Sequence, residues 1–325
     1  MWLRRSWVRI PPLAPLLSPF PPDPGTDWRG PPRGPAVTAM VTLRPTPEEA
    51  LAAYAAQVAA NRAYIHSVEG SPRPGQDYWA ARAAAFRPGR MPVPELGALL
   101  ALAEPGDTWL DIGAGGGRFA VPLAEHVARV IAIEPSPSMR EQLTEAAQEA
   151  GRTNIEIVDM AWPPDPGAAA PEGDVALAAN VLYAIEDVGG FIAAMERHAR
   201  RTCAVVAFDR APNTPVPAIW RELWGSDFRE LPALRELVAV LLAMGRRVRV
   251  EPLPPQPQEP RPLDDVAAEY AWMYHVRPGT EGYEAKLARF RELVARHCGA
   301  GEGLARPPVV RRYSSVISWP AERNS

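Results

Sequence analysis

The sequence is poor in cysteine and has no surplus of charge of either sign. Cys203 and Cys298 are the only cysteines in 325 residues, and two isolated thiols supply neither the paired spacing of a zinc site nor a disulfide framework. We therefore expect the reducing conditions of the cytoplasm. A formal net charge of −3 gives the chain no general attraction to nucleic acid or to an anionic membrane, so we expect neither as a partner.

Long apolar runs and several familiar catalytic motifs are also missing. No uninterrupted apolar stretch reaches the roughly 20 residues that a transmembrane helix needs. The sequence holds no cluster of metal ligands, no Walker loop and no serine nucleophile elbow. These absences favour an ordinary globular protein, and we expect no metal ion.

Proline, by contrast, is abundant, and much of it lies in two stretches that cannot be regular helix. The first falls within residues 1–39, which we interpret as a disordered or wrongly annotated leader, with Met40 as the native start. The second covers residues 252–262, which we interpret as an extended linker.

Beyond the leader, helical patterns come first and alternating strands and helices follow. Thr46 and Glu49 have the spacing of a capping box, so we predict a helix from there to about residue 69. Short helices are predicted at 78–86 and 94–103. Apolar runs predict strands at 108–112, 130–133, 155–158, 175–178, 203–208, 247–252 and 309–319. Amphipathic patterns predict helices at 118–126, 138–150, 187–200, 217–225, 231–244, 264–275 and 281–298.

This alternation is typical of a parallel sheet that is covered by helices on both faces. We expect four parts: the leader, an N-terminal helical cap over residues 40–98, a ligand-binding core over 99–210, and a segment over 211–325 that completes the sheet. The last part includes a helical insertion at about 256–305, on the side where the substrate is expected.

The glycine-rich turn within residues 109–120 (WLDIGAGGGRFA) is the most informative segment. Gly113, Gly115 and Gly117, with Ala114 between the first two, follow a buried strand and precede a helix. Glycine allows a ligand to lie directly against the main chain beside a helix N-terminus. A dinucleotide would need a third glycine of its fingerprint where Arg118 stands, which disfavours NAD.

With its strand-end acids, this segment resembles the first motif of the class I S-adenosylmethionine-dependent methyltransferases, of the small-molecule type 11/12/25. In that family the acid at Asp111 orients the glycine turn or the amino group of the cofactor. Glu134, followed by Pro135, closes the next strand at the spacing where a carboxylate accepts the ribose hydroxyls. Asp159 closes the third strand, where the family binds the adenine amino group, with Met160 as a backbone donor.

The resemblance implies a Rossmann-like αβα sandwich on a seven-stranded, mostly parallel sheet, with an N-terminal helical cap and a C-terminal helical insertion. It also implies S-adenosylmethionine as the cofactor and a small-molecule methyl acceptor. Asn180 and Tyr183, after the fourth strand, would line the transfer site, and Asn180 would contact the cofactor. Tyr78, ahead of the first motif, would fold over it.

The sequence singles out no acid–base pair. His275 and Tyr183 are the candidate catalytic groups, His275 because histidine titrates near neutral pH and lies in the insertion that would cover the acceptor. A nicotinamide-dependent oxidoreductase and a non-catalytic module that binds S-adenosylmethionine stay open as alternatives. The acceptor, the methylated atom and the oligomeric state also stay open.

Overall fold

The structure is a computed structural model that describes residues 45–69, 77, 79–80, 82–90, 92–165, 167–255, 258–310 and 313–321. The expectations for the leader, for Met40 and for Tyr78 lie outside the described residues. All statements below concern the described residues.

A seven-stranded sheet in the order β3-β2-β1-β4-β5-β9-β6 forms the centre of the fold. The strands are β1 (Thr108–Ile112), β2 (Arg129–Ile133), β3 (Ile155–Val158), β4 (Gly173–Ala179), β5 (Ala199–Phe208), β6 (Arg249–Pro252) and β9 (Ser314–Pro320). The first five are parallel, and β9 runs antiparallel to both of its neighbours, β5 and β6. The predicted fold class, a Rossmann-like sandwich on a mostly parallel sheet, is confirmed.

Helices connect the strands and cover the sheet. They are α1 (Pro47–Glu69), α2 (Leu96–Leu100), α3 (Ala120–Leu123), α4 (Pro137–Glu149), α5 (Val188–His198), α6 (Pro217–Trp224), α7 (Leu234–Ala243), α8 (Leu263–Ala271) and α9 (Tyr283–Cys298). A two-stranded ribbon of β7 (Arg261–Pro262) and β8 (Leu304–Ala305) brackets α8 and α9.

The apolar strands divide their side chains between two cores. On one face, Leu110 and Ile112 of β1 belong to a core that also takes residues from α1, α5 and α7. On the other face, Trp109 of the same strand belongs to a core completed by α2, α3 and α4. Burial on both faces explains why the central strands β1, β2 and β4 are nearly continuous apolar runs, whereas the edge strand β3 carries the exposed Glu156.

The first helix begins as the capping box predicts. The backbone N–H of Glu49 donates to Thr46 Oγ1 at 3.3 Å, and the backbone N–H of Thr46 donates to Glu49 Oε2 at 2.9 Å. Two N–H groups that lack a partner within the helix are satisfied in this way. One face of α1 then buries Tyr54 and Val58 in the core.

Helices α6, α8 and α9, with a 3-10 turn at Trp272–Tyr274, surround a third core that we call the C-terminal lobe. Its centre is aromatic: Trp220, Tyr274 and Phe290 are fully buried, and the ring centroids of Tyr274 and Phe290 are 4.6 Å apart. Because α8 and α9 lie between β6 and β9 in the chain, the predicted C-terminal helical insertion is confirmed.

Several predicted elements are shorter than expected, among them the following three. Within 78–86 the described helix is a 3-10 turn at Ala83–Phe86. The helix predicted at 118–126 is α-helical only over Ala120–Leu123. Its last turn has the tighter 3-10 pattern, in which a backbone N–H donates to the carbonyl three residues earlier, as that of His126 does to Leu123. The strand predicted from residue 309 begins at Ser314.

Candidate functional site

The carboxyl ends of four parallel strands meet at one edge of the sheet. Ile112 of β1 pairs with Ile133 of β2, and Ile133 pairs with Val158 of β3, so the residues that follow these strands are neighbours. The strand order turns at β1, which has β2 on one side and β4 on the other. Ligands of open α/β sheets bind at such a switch point, and the predicted site residues after β1, β2, β3 and β4 lie along this edge.

The glycine turn after β1 is packed too tightly for a side chain at Gly113 and at Gly116. Gly113 has φ +72°, and a Cβ atom there would lie 2.7 Å from Val181 Cγ2 in the loop that follows β4. Gly116 is confined as well, because a Cβ atom there would lie 3.0 Å from the backbone of Phe86. The turn is therefore held between the β4–α5 loop (residues 180–187) and the segment of residues 77–90.

Most backbone amides of this turn already have partners within the protein. The N–H groups of Gly113 and Ala114 both donate to the Ile133 carbonyl, at 2.8 and 3.2 Å, and that of Gly117 donates to the Ala114 carbonyl. The N–H of Gly115 donates to Glu134 Oε2 at 2.8 Å. A pyrophosphate group relies on the free amides of a glycine turn, so this arrangement does not fit a dinucleotide.

Glu134 is held as a fixed carboxylate beside the turn. Its side chain is 6 % exposed, and Oε1 accepts the N–H of Ser136 at 2.8 Å. Burial raises the pKa of Glu134, while the hydrogen bonds from Ser136 and Gly115 oppose the rise. An ionised carboxylate accepts about four hydrogen bonds, so two protein donors leave capacity for ligand hydroxyl groups. Pro135, next to it, is exposed.

Asp111 is a buried acid with spare hydrogen-bonding capacity. Its side chain is 1 % exposed, and Oδ2 has no hydrogen-bond partner among the described residues. Burial and then the charge of Glu134 raise the pKa of Asp111 to about 7, against a lowering by the N–H of Ala120. A buried polar atom without a hydrogen-bond partner destabilises the fold. Such atoms are typical of positions where a ligand or a water molecule completes the hydrogen bonding.

Asp159 stands at the end of β3 but is 69 % exposed, and its Oδ1 forms an ion pair of 2.8 Å with Arg140. The same Nη1 atom of Arg140 donates to the carbonyls of Glu134 and Pro135. Arg140 of α4 thus joins the ends of β2 and β3. Met160 is half-buried against the core. Sequence reasoning missed Arg140, because a surface arginine in a helix has no distinctive pattern.

A second group that sequence reasoning missed is Asp77. Its Oδ2 accepts hydrogen bonds from Ser138 Oγ at 2.7 Å, Ser136 Oγ at 2.9 Å and the Ser138 N–H at 3.1 Å. Desolvation alone would raise the pKa of Asp77, but these bonds, led by Ser138, lower it to about 2. Asp77 is therefore fastened to the N-terminus of α4, which Ser136 caps.

Asn180 and Tyr183 form a compact network in the β4–α5 loop. Asn180 has the left-handed φ of +60°, and the Tyr183 hydroxyl donates to its Oδ1 at 3.0 Å. The N–H of Phe208, at the end of β5, donates to the same hydroxyl at 2.8 Å. Tyr54 of α1 donates its hydroxyl hydrogen to the Leu182 carbonyl at 3.1 Å. These bonds fix the loop against β5 and α1.

His275 lies in the C-terminal lobe. It follows the Trp272–Tyr274 turn with φ +59°, and its ring meets Trp220 edge-on with centroids 5.6 Å apart. Arg82, from the 77–90 segment, stacks its guanidinium 4.2 Å from the centroid of Trp272. The lobe and the segment over the glycine turn are therefore in contact.

The described residues contain no group of three or more His, Cys, Asp or Glu side chains placed to hold a metal ion. Within the same part of the chain, no helix has the length and apolar content needed to cross a bilayer.

Residues 110–207, from β1 to β5, match the family model described as "Methyltransferase domain". This match confirms the resemblance for residues 110–207, and a methyltransferase domain implies S-adenosylmethionine as the cofactor. No curated protein sequence is significantly similar to the chain.

Solved structures with a related fold include the YcgJ protein from Bacillus subtilis, with 17% identity, a TM-score of 0.47 and coverage of 71% of this chain and 99% of that one. A putative methyltransferase from Bacillus halodurans has 12% identity and a TM-score of 0.48, covering 71% of this chain and 100% of its own. An S-adenosylmethionine-dependent methyltransferase from Geobacter sulfurreducens, solved with S-adenosylhomocysteine, has 17% identity and a TM-score of 0.42, covering 71% and 90%.

Proposed function

We propose that this protein transfers the methyl group of S-adenosylmethionine to an oxygen or nitrogen atom of a small-molecule acceptor. The observation that carries the proposal is the placement of Glu134, Asp111 and the glycine turn together at the switch point of a methyltransferase domain. Two carboxylates that accept hydrogen bonds, beside a glycine turn that a ligand can approach closely, fit a ligand whose hydroxyl and amino groups donate hydrogen bonds.

The strand order supports one direction of the cofactor along the sheet edge. Asp159 and Met160 after β3 are suited to the adenine end, and Glu134 with Pro135 after β2 to the ribose. Asp111 and the turn of Gly113, Ala114, Gly115 and Gly117 after β1 then face the methionine part. Asn180 after β4 is next in line, so the methyl group would be presented beside the β4–α5 loop. Tyr78 remains proposed as a cover over the cofactor.

When bound, S-adenosylmethionine supplies a methyl group already activated by its positively charged sulfur. The protein must align the two reactants and exclude water, and such alignment contributes about 7–11 kcal/mol. Glu134 and Asp111 hold the donor, the 77–90 segment covers it, and the lobe bearing His275 faces the acceptor. His275 and Tyr183 remain the candidate groups for removing a proton when the acceptor is an alcohol or a protonated amine.

Two measurements test the proposal. Calorimetry should detect binding of S-adenosylhomocysteine and of S-adenosylmethionine but not of NAD or NADP, because most amides of the glycine turn already have partners within the protein. Incubation with S-adenosylmethionine and a panel of phenols, carboxylates, amines and alcohols should then release S-adenosylhomocysteine. Binding of NAD in place of S-adenosylhomocysteine would refute the assignment, whereas binding without turnover on any acceptor would favour the non-catalytic module.

A further inference from the structure

Strand β6 is an open edge of the seven-stranded sheet. It is hydrogen-bonded to β9 on one side, and within the described residues no strand lies on its other side. Such an edge is a template on which a further strand can pair. Its first two residues, Arg249 and Val250, are exposed, Val250 to 38 %. The backbone and side-chain chemistry of β6 therefore decides which strand can join it.

The backbone groups of β6 alternate between β9 and the open side. The N–H of Leu253, just after the strand, donates to the Ser314 carbonyl at 2.8 Å. Since the direction alternates along an antiparallel strand, Glu251 also faces β9, whereas the backbone groups of Val250 and Pro252 point to the open side. Proline has no N–H, which is tolerated on the open side of an edge strand. Val250 therefore offers a donor and an acceptor, and Pro252 offers an acceptor alone.

The side chains of β6 carry opposite charges on either side of Val250. Arg249 and Glu251 share one face of the strand, are 72 % and 41 % exposed, and form an ion pair of 3.2 Å. Val250 lies on the other face, since it is paired with Ile317, which belongs to the core that includes residues of α7. A strand with the order cation, apolar residue, anion is complementary in charge to a second copy of itself that runs antiparallel.

We propose that two copies of this chain form a symmetric dimer through antiparallel pairing of their β6 strands, centred on Val250. The two Val250 residues then exchange two backbone hydrogen bonds across the two-fold axis. The Val248 N–H, which the same alternation directs to the open side, donates in each copy to the Pro252 carbonyl of the other. Arg249 of each copy lies directly opposite Glu251 of the other, and opposite charges at facing positions stabilise a strand pair.

The charges favour this register over the two symmetric registers next to it. Centring the pair on Arg249 would place two arginines directly opposite each other, and centring it on Glu251 would place two glutamates there. The second arrangement would also set Pro252, which has no N–H, against the carbonyl of Val250. Of the three registers, the one centred on Val250 alone joins opposite charges and uses both backbone groups of that residue.

Sedimentation velocity on the full chain tests the dimer at concentrations from about 1 to about 200 µM, because so small a paired surface should dissociate in the micromolar range. Arg249→Glu sets glutamates against glutamates at both facing positions, and Glu251→Arg sets arginines against arginines. Each variant should weaken the dimer at least about tenfold. Arg221→Glu, which breaks an exposed ion pair with Asp227, is the matched control and should leave the dimer unchanged.

A mixture of the two charge variants separates pairing through β6 from any other contact. When Arg249→Glu and Glu251→Arg chains are combined, every facing position joins a glutamate to an arginine. The mixture should therefore dimerise at concentrations at which each variant alone is a monomer. The double variant that carries both changes exchanges the two charges and should regain the dimer of the original chain.

A monomer at every concentration would overturn the inference, since the charges and the proline of β6 would then protect the edge from pairing. So would a dimer that both single variants retain, or a mixture that stays monomeric. Thermal melting of each variant confirms that it is folded, and the double variant decides the matter where a single change unfolds the chain. Because β6 carries none of the proposed cofactor contacts, these outcomes are independent of the proposed methyl transfer.

Discussion

Replacing Gly113 with alanine tests the contact between the glycine turn and the β4–α5 loop. The new Cβ would lie 2.7 Å from Val181 Cγ2, well inside ordinary contact distance. Valine is stiff about χ1, so Val181 cannot move its methyl group away without moving the loop. The φ of +72° adds a second cost, because a Cβ is disfavoured in the left-handed region by roughly 1–2 kcal/mol.

Gly151 provides a matched control. It has a similar φ of +64° just after α4, but a Cβ there would meet no atom within 4 Å. Gly151→Ala should therefore lower the free energy of unfolding by roughly 1–2 kcal/mol, through backbone strain alone. Gly113→Ala should lower it by roughly 2–5 kcal/mol, because overpacking adds about 1–3 kcal/mol.

Urea denaturation gives the free energy of unfolding, and calorimetry gives the affinity for S-adenosylhomocysteine. We expect Gly113→Ala to weaken binding, since the displaced loop carries Asn180, and Gly151→Ala to leave binding unchanged. Adding Val181→Ala to Gly113→Ala should restore part of both losses. Equal destabilisation by the two glycine variants, with binding intact in both, would show that the close contact does not constrain the site.

Three further predictions concern the acids and the histidine. The pKa of Asp111 is raised from 3.8 to about 7, so this carboxyl group binds a proton more tightly in the folded protein than in the unfolded chain. The contribution of Asp111 to the free energy of unfolding therefore falls as the pH rises from about 4 to about 7. Urea denaturation from pH 4.5 to 8 should show that Asp111→Asn removes this decline, and an identical pH profile in the variant would count against it. Glu134→Gln replaces an ionised acceptor by a neutral amide and should weaken S-adenosylhomocysteine about tenfold or more in calorimetry; the same change at Glu156, an exposed residue of β3, is the control and should have no effect. His275→Ala should slow methyl transfer while the dissociation constant of S-adenosylhomocysteine stays the same, and unchanged turnover with a genuine acceptor would exclude a catalytic role.

The central strands of the sheet could be predicted from the sequence because they are buried on both faces. Thr108–Ile112 and Ile155–Val158 have the predicted bounds, since apolar runs that end at glycine or an acid leave little choice of boundary. The glycine turn and Glu134 were predictable because their spacing along the chain is fixed by one strand–helix–strand unit.

The remaining parts of the site depend on contacts between distant segments. Asp77 meets Ser136 and Ser138 across about 60 residues, and Arg140 meets the end of β3 from α4, the helix that precedes this strand. Each of these residues is an ordinary polar residue in the sequence, without periodicity or motif. The sequence also cannot distinguish the two possible orientations of the Asn180 side-chain amide. The hydrogen bonds of the Tyr183 hydroxyl to Asn180 and from Phe208, which select one of them, are seen only in the structure.

The position of β9 has a consequence for the order in which the chain acquires its structure. Residues 314–320 are almost the last of the described chain to leave the ribosome, yet they fill the gap between β5 and β6, and Trp319 Nε1 donates to the buried Glu196 of α5 at 2.9 Å. Until they arrive, β5 has one side without a neighbour and β6 has no strand to join. Shortened chains that end before Ser314 should therefore expose an open sheet edge, which is a template for aggregation, even though every cofactor-binding residue proposed above has already been made.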